Sequence, residues 1–424
     1  MHITFIVTGG TIFQKKDPGT GSMVIAVSLD DLVCGWLADL GVTSSTCVDL
    51  KARSGAELTY DTIFAARDAV LAHLKDAKQR SAGSAAFVLV TGTDTLEEFA
   101  FCLDLLMGAA LVAESASLVV TGAMKPYDIE GYDGRCNLQQ AVQVKNAGRG
   151  GTARPGRALR ARAGGTGLLH EFTPLSAVHC PLFAVRCSLF AVRLLVQVAA
   201  SPHAAQFGVL VTLNDDIHLA RYVRKADSQL MGAFQSHPGP VGQVREGRVR
   251  FYYGPPPDAA AWRDPRLAAL DAAAVRPYGS RVGIWLTGVS SGPLPEPLLT
   301  QLAGLVLAAP GTGSLSASLT DQLAAWTARL PIVIATRCGV GCNFDDHYYR
   351  GSRTKYESRG FLLAEFSHLD AVQARNLLVL RLAAGVYPQY GGLAGPAGEA
   401  VGRNGVGEAS IRAEVTVMIT VGSR

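Results

Sequence analysis

Two short stretches place hydroxyl groups beside glycines at the ends of apolar runs, an arrangement suited to attack on a bound substrate. The first is Thr8-Gly9-Gly10-Thr11, which follows His2-Ile3-Thr4-Phe5-Ile6-Val7. Two glycines at the end of a strand let the main chain come against a ligand, because neither carries a Cβ. Thr11 is the candidate nucleophile of this loop; a tight strand-to-loop turn with two incidental threonines is the plain structural alternative. The second stretch is Thr91-Gly92-Thr93-Asp94-Thr95, after the apolar run Ala86-Phe-Val-Leu-Val90. Taken alone, Thr93 and Asp94 would serve equally well as the N-cap pair of a helix. Cys338-Gly-Val-Gly-Cys342 with His347 nearby offers only two sulfurs and one imidazole, at a spacing that matches no common zinc pattern. No metal is therefore expected there.

The elements that must position these residues follow an α/β rhythm. Residues 2–7, 86–90 and 117–121 read as buried strands, and two strands of one such sheet that end in similar Gly/Thr loops bring those loops to a common edge, where these folds bind ligands. Between them, Phe13 to Ser28 reads as a mobile loop, Ser28-Leu-Asp-Asp31 as a helix start with a capping box, Thr46 to Leu50 as a strand, and Asp61 to Leu74 and Leu96 to Met107 as helices. A helix beginning at Asn137 is interrupted by an Arg/Gly/Ala-rich stretch and the near-repeat Leu182-Phe-Ala-Val-Arg186 and Leu189-Phe-Ala-Val-Arg193. Residues 145–196 are thus expected to be an insertion. The fold class expected is α/β: a larger N-terminal doubly wound domain over 1–253, a linker over 254–278, a smaller C-terminal α/β domain over 279–387, and a Gly-rich tail over 388–424.

Composition narrows the function classes. The 424 residues are 48% hydrophobic and 17% charged, with a net charge of +4, too small for this length to suggest nucleic acid. No run is long and charge-free enough for a membrane span, since Arg186 and Arg193 interrupt the most apolar candidate. A strand that starts at the first residues, with no basic and apolar leader before it, points to the cytoplasm, and the eight scattered cysteines fit reduced thiols.

With these residues in view, Ile6-Val-Thr-Gly-Gly-Thr-Ile12 and Val90-Thr-Gly-Thr-Asp-Thr-Leu-Glu-Glu98 closely resemble the two signature motifs of the bacterial-type L-asparaginases and glutaminase-asparaginases. Val120-Thr-Gly-Ala-Met-Lys-Pro126, Asp133-Gly through Asn137-Leu, Gly208-Val-Leu-Val to Asn214-Asp, and Gln235-Ser-His-Pro-Gly-Pro extend the similarity over most of residues 1–385, the insertion apart. The resemblance implies hydrolysis of a small-molecule carboxamide, L-asparagine first, to carboxylate and ammonia without a cofactor. It assigns Thr11 as the attacking hydroxyl, Thr93, Asp94 and Lys225 as the second catalytic group, and Gly10, Ser54, Gly55 and Gly92 with Thr93 and Asp94 as the substrate-binding set. It also implies a homodimer or homotetramer. Three departures bear on substrate and efficiency. No tyrosine occurs before Tyr60, although the family carries one on the loop after the first motif. Thr91 stands where most members have His, and Gly55 falls at the position of the substrate-binding serine, with Ser54 one residue early. A related amidase acting on glutamine or another amide, and a catalytically impaired binding protein, are the competing readings.

Overall fold

A computed structural model describes residues 2–33, 37, 42, 44–51, 55–79, 85–142, 203–246, 248–344 and 347–390. The expected insertion over 145–196, Ser54, and all but the first residues of the expected tail lie outside them.

The central strands of the large sheet are short apolar runs buried on both sides, and their pairing explains that composition. The large sheet contains β1 (His2–Val7), β4 (Ser44–Asp49), β5 (Ala86–Val90), β6 (Ser117–Thr121), β7 (Val209–Leu213), β8 (Asp216–Leu219), β11 (Gly242–Arg245) and β12 (Arg248–Phe251), in the order β12-β11-β8-β7-β6-β5-β1-β4. From β4 to β7 every pair is parallel, while β8, β11 and β12 extend the sheet antiparallel. Consecutive residues of the central strands enter opposite cores. Ile6, Phe87, Leu89, Leu118 and Val120 join one, and Phe5, Val7, Val88, Val90 and Val119 join the other. A parallel sheet covered on both faces needs uninterrupted apolar strands rather than alternating ones, as these are.

The covering helices carry the connections. On one side lie α2 (Tyr60–Gln79) and α3 (Leu96–Ala113); on the other lie α1 (Leu29–Val33) and α4 (Gly134–Val142). The capping box at α1 forms as the sequence leads one to expect: Ser28 N–H donates to Asp31 Oδ2 at 2.9 Å and Asp31 N–H donates to Ser28 Oγ at 3.2 Å. The segment read as a loop, Phe13 to Ser28, is instead built around an antiparallel ribbon of β2 (Gln14–Lys16) and β3 (Met23–Ile25). Its turn is closed by the Asp17 carboxylate, which accepts the N–H groups of Gly19 and Thr20 at 2.9 and 2.7 Å. A polar turn of this kind pairs two strands too short to be read from periodicity.

Residues 254–278 include α5 (Pro265–Ala268) and the start of α6 (Ala272–Gly279), whose Leu267, Leu270 and Val275 are buried in the core that holds α2 and α3. Beyond them, β13 (Val282–Leu286), β14 (Gly304–Ala309) and β15 (Ile332–Thr336) make a three-stranded parallel sheet. Helices α7 (Glu296–Gln301), α8 (Ala317–Ala324) and α9 (Arg350–Glu357) surround a third core containing Leu305, Leu307, Leu319, Leu323 and Tyr356. The last helix, α10 (Ala371–Ala383), packs against α3 and β14 alike, so one continuous apolar core joins the two sheets. Among the described residues no helix is long and apolar enough to cross a membrane.

Candidate active site

The site is assembled at the carboxyl ends of β1 and β5, neighbouring parallel strands in which Val7 lies opposite Val90. Both chains leave the sheet together and are tied as they do. Thr8 N–H donates to the Val90 carbonyl at 3.0 Å, the Thr8 hydroxyl donates to Thr91 Oγ1 at 2.7 Å, and Thr91 N–H donates to the Thr121 carbonyl at 3.0 Å. Thr91, the departure from the family pattern, is fully buried and takes part in this tie.

Past the threonines the backbones touch. Gly10 adopts φ 101°, and a Cβ there would overlap the Cα and N of Gly92. A side chain on Gly92 would in turn lie 3.1 Å from the Gly55 Cα, and one on Gly55 would lie 3.3 Å from the Asp94 Cβ. Three loops therefore meet through bare main chain, which only glycine permits at Gly10. The contact fixes the next residue in each loop. Thr11 opens a short turn, Thr11–Phe13, held by Phe13 N–H to the Gly10 carbonyl at 3.1 Å and anchored by the buried side chains of Ile12 and Phe13. Thr11 itself is half-buried at the surface of this turn.

Thr93 and Asp94 precede α3 and face β9 (Val223–Lys225), the strand that carries Lys225 and pairs with β10 (Phe234–Ser236). The Lys225 ammonium donates to Thr93 Oγ1 at 3.0 Å and to Asp94 Oδ1 at 2.8 Å. The lysine side chain is only 14% exposed, whereas the Asp94 carboxylate is 72% exposed. One end of the pair is thus held in the protein and the other is open to a ligand. Of the residues singled out in the sequence, Thr93, Asp94 and Lys225 meet directly, Gly10, Gly92 and Gly55 meet through their backbones, and Thr11 sits one residue from that contact. Ser54 lies outside the described residues.

Two residues that sequence reasoning passed over support the lysine. Glu97 was legible only as a first-turn acid of α3, yet its Oε2 accepts the Lys225 backbone N–H. Burial raises its pKa, an effect the accepted N–H partly offsets. Arg224, one residue earlier, pairs with Asp370 and donates to Gln373 Oε1. Asp370 is also the N-cap of α10, accepting Gln373 N–H at 2.8 Å. The strand of Lys225 is therefore pinned to helices from both parts of the chain, a relation no local pattern reveals. Behind the Thr95 end of the loop lies a cavity of about 370 Å³ whose lining includes Tyr60, Thr95, Glu98, Arg276, Arg375 and Asn376 but neither Thr11 nor Lys225. Its wall is closed by Tyr60 OH to Asn376 Oδ1 at 2.6 Å and Asn376 Nδ2 to Glu98 Oε2 at 2.8 Å.

A doubly wound sheet with hydroxyls, a carboxylate and an amine gathered at its strand ends defines an α/β enzyme in the general sense. Comparison with known proteins narrows that class. The sequence matches the family described as asparaginase, N-terminal, over residues 2–153 and 193–257, and the chain belongs to the asparaginase family. It is an asparaginase-like enzyme. The unmatched residues 154–192 fall within the stretch expected to be an insertion. Among relatives, a probable L-asparaginase of Deinococcus radiodurans is 28% identical over 74% of this chain and 74% of its own length. L-asparaginase 2 of Escherichia coli K12 is 24% identical over 92% and 90%, respectively. The glutaminase-asparaginase of Pseudomonas fluorescens is 24% identical over 59% of this chain and 52% of its own length. The crystal structure of a probable cytoplasmic L-asparaginase from Campylobacter jejuni superposes with a TM-score of 0.59 at 21% identity, covering 92% of this chain and 98% of that one, and so shares the fold.

Proposed function

We propose that this enzyme hydrolyses the side-chain amide of L-asparagine to L-aspartate and ammonia, with Thr11 as nucleophile. The observation that carries the reading is the Lys225 ammonium bridging Thr93 Oγ1 and Asp94 Oδ1, one backbone contact away from Thr11. A threonine hydroxyl attacks only as its proton leaves, and a positioned partner group supplies the path. Thr11 Oγ attacks the carboxamide carbon while its proton passes to the Thr93–Asp94–Lys225 group. The C–N bond then breaks as the nitrogen takes up a proton, releasing ammonia and leaving an ester on Thr11. Water attacks that ester, frees aspartate and restores the hydroxyl. Main-chain N–H groups of the Gly9-Gly10 and Gly92 loops stabilise the oxyanion in both halves, and the exposed Asp94 carboxylate holds the substrate's α-ammonium. Ser54 and Gly55 belong to the residues proposed to bind substrate.

The same reading places the enzyme in the cytoplasm as a homodimer or homotetramer, with domains over 1–253 and 279–387 joined by 254–278. The relatives include a protein named a glutaminase-asparaginase, so glutamine is the competing substrate. Ammonia release from asparagine and from glutamine, measured for the wild type, Thr11→Ala and Lys225→Met, tests the reading. The expected result is faster release from asparagine and a loss of at least about a thousandfold in both variants. Release that survives Thr11→Ala would remove the mechanism, and faster release from glutamine would change the substrate.

A further inference from the structure

The turn that carries Thr11 has an unusual anchor. In Thr11–Phe13 and its neighbours, carbonyl groups are satisfied locally with one exception. Gly10 accepts Phe13 N–H, Thr11 accepts the N–H of Gln14, and Phe13 accepts Ala26 N–H at 3.0 Å from the adjoining ribbon. The Ile12 carbonyl instead accepts the phenol of Tyr132 at 2.9 Å, from a residue 120 positions away. A buried carbonyl needs a partner, and at this point the chain supplies a side chain rather than main chain.

The phenol is held in place from several directions. Tyr127 packs against its ring at 5.2 Å between centroids, and Tyr127 N–H donates to the Gln14 carbonyl at 2.8 Å, just beyond the turn. Asp133, the next residue, accepts the N–H groups of Met124 and Lys125, both at 2.9 Å, and the side-chain amide of Asn137 at 2.9 Å, which fixes the loop that delivers Tyr132. Gly134 leaves the space: a methyl group there would overlap both the Tyr132 hydroxyl and the Ile12 side chain. Burial, with Asp133 adjacent, raises the phenol pKa, so the group remains a donor at neutral pH.

From this geometry we infer that Tyr132 is a positioning residue of the reaction: its hydroxyl clamps the Ile12 carbonyl and so fixes the turn that aims Thr11. The inference rests on Thr11 being the nucleophile. A tyrosine that served packing alone would work as well without its oxygen, because the ring contact with Tyr127 does not involve it. A positioning hydroxyl, by contrast, lowers the turnover of bound substrate when lost, since small displacements of a nucleophile reduce kcat more than binding.

The test compares Tyr132→Phe and Gly134→Ala with the wild type and Thr11→Ala. In Tyr132→Phe, kcat for asparagine is expected to fall about tenfold with KM within twofold, the loss expected for one hydrogen bond at this distance from the chemistry. Amide hydrogen exchange at Phe13 and Gln14 is expected to speed up by a similar factor, with β1 unchanged. Gly134→Ala should reproduce both effects by displacing the phenol. Unchanged exchange at Phe13 and Gln14 in Tyr132→Phe overturns the clamp, and so does an unchanged kcat when Thr11→Ala is inactive. Faster exchange together with activity that survives Thr11→Ala would refute the nucleophile and leave the clamp of the turn standing. If Gly134→Ala fails to fold, Tyr132→Phe decides alone, because it removes a single oxygen from an intact ring.

Discussion

The two parallel sheets of this enzyme are built from the same kind of strand and finish differently. At the carboxyl edge of the large sheet, loops after β1 and β5 converge with β9, and the Lys225 amine on β9 comes within 3.0 Å of both the Thr93 hydroxyl and the Asp94 carboxylate of the loop after β5. At the matching edge of the small sheet, side chains satisfy carbonyls of neighbouring loops. The Thr336 hydroxyl donates to the Gly311 carbonyl at 2.6 Å, and Arg337 Nη1 donates to the Thr287 carbonyl at 3.2 Å. Around them Val289 is fully exposed, and Val340 and Tyr348 are 59% and 84% exposed. Strand composition therefore does not decide where a site forms. What differs is how the loops meet: bare glycine backbone brings them together in the large sheet, whereas side-chain hydrogen bonds tie them in the small one.

The largest expected effect comes from separating the loops. Gly10→Ala should abolish ammonia release and cost about 2–4 kcal/mol of stability, because φ 101° and overlap with Gly92 act together. The equivalent change at Gly311, also at positive φ but with nothing within 4 Å, should cost about 1 kcal/mol. Equal losses in denaturant melts would break the contrast between the two edges.

A second difference is electrostatic. No strand of the small sheet carries a titratable side chain, whereas β8 of the large sheet buries His218, whose Nδ1 lies 2.8 Å from Ser236 Oγ. Burial lowers its pKa to about 4, against a weak opposing pull from Asp216. The sign follows from the unfolded chain, which takes up a proton below pH 6.5 while the folded one does not. Stability from this group is complete above pH 6.5 and is lost as the pH falls towards 4. Between pH 7 and 4.5 the loss should be roughly 2–3 kcal/mol. The stability difference between the wild type and His218→Gln, measured by denaturant melts at both pH values, should shrink by that amount; an unchanged difference would mean the ring does not titrate differently on folding.

The smallest effect is expected at the exposed edge. Val289→Ser and Val340→Ser should each leave monomer stability within about 0.5 kcal/mol of the wild type. A loss above 1 kcal/mol at either would show that this edge is covered, and would sharpen the comparison in that direction.

Much of this was legible in the sequence because burial leaves a simple trace. Runs such as Ala86–Val90 and Ser117–Thr121 stop where the sheet stops, and glycines mark where backbones meet. The capping box at Ser28 and Asp31 was readable because all its partners lie within four residues. The ribbon of β2 and β3 escaped because three-residue strands have too few positions to show a period. Glu97, Arg224 and Tyr132 escaped for another reason: each acts on a residue far along the chain, and no local spacing encodes such a partner.

The attachment of Arg224 to the start of α10 has a consequence for how the enzyme matures. Arg224 and Gln373 are 149 residues apart, so at about 5–20 residues per second roughly 7–30 seconds pass between synthesis of the lysine strand and synthesis of its anchor. The first 253 residues leave the ribosome holding all the residues proposed for chemistry, yet Lys225 stays without half of its support until the final helix arrives. A fragment ending at residue 253 would inherit that unfinished state permanently.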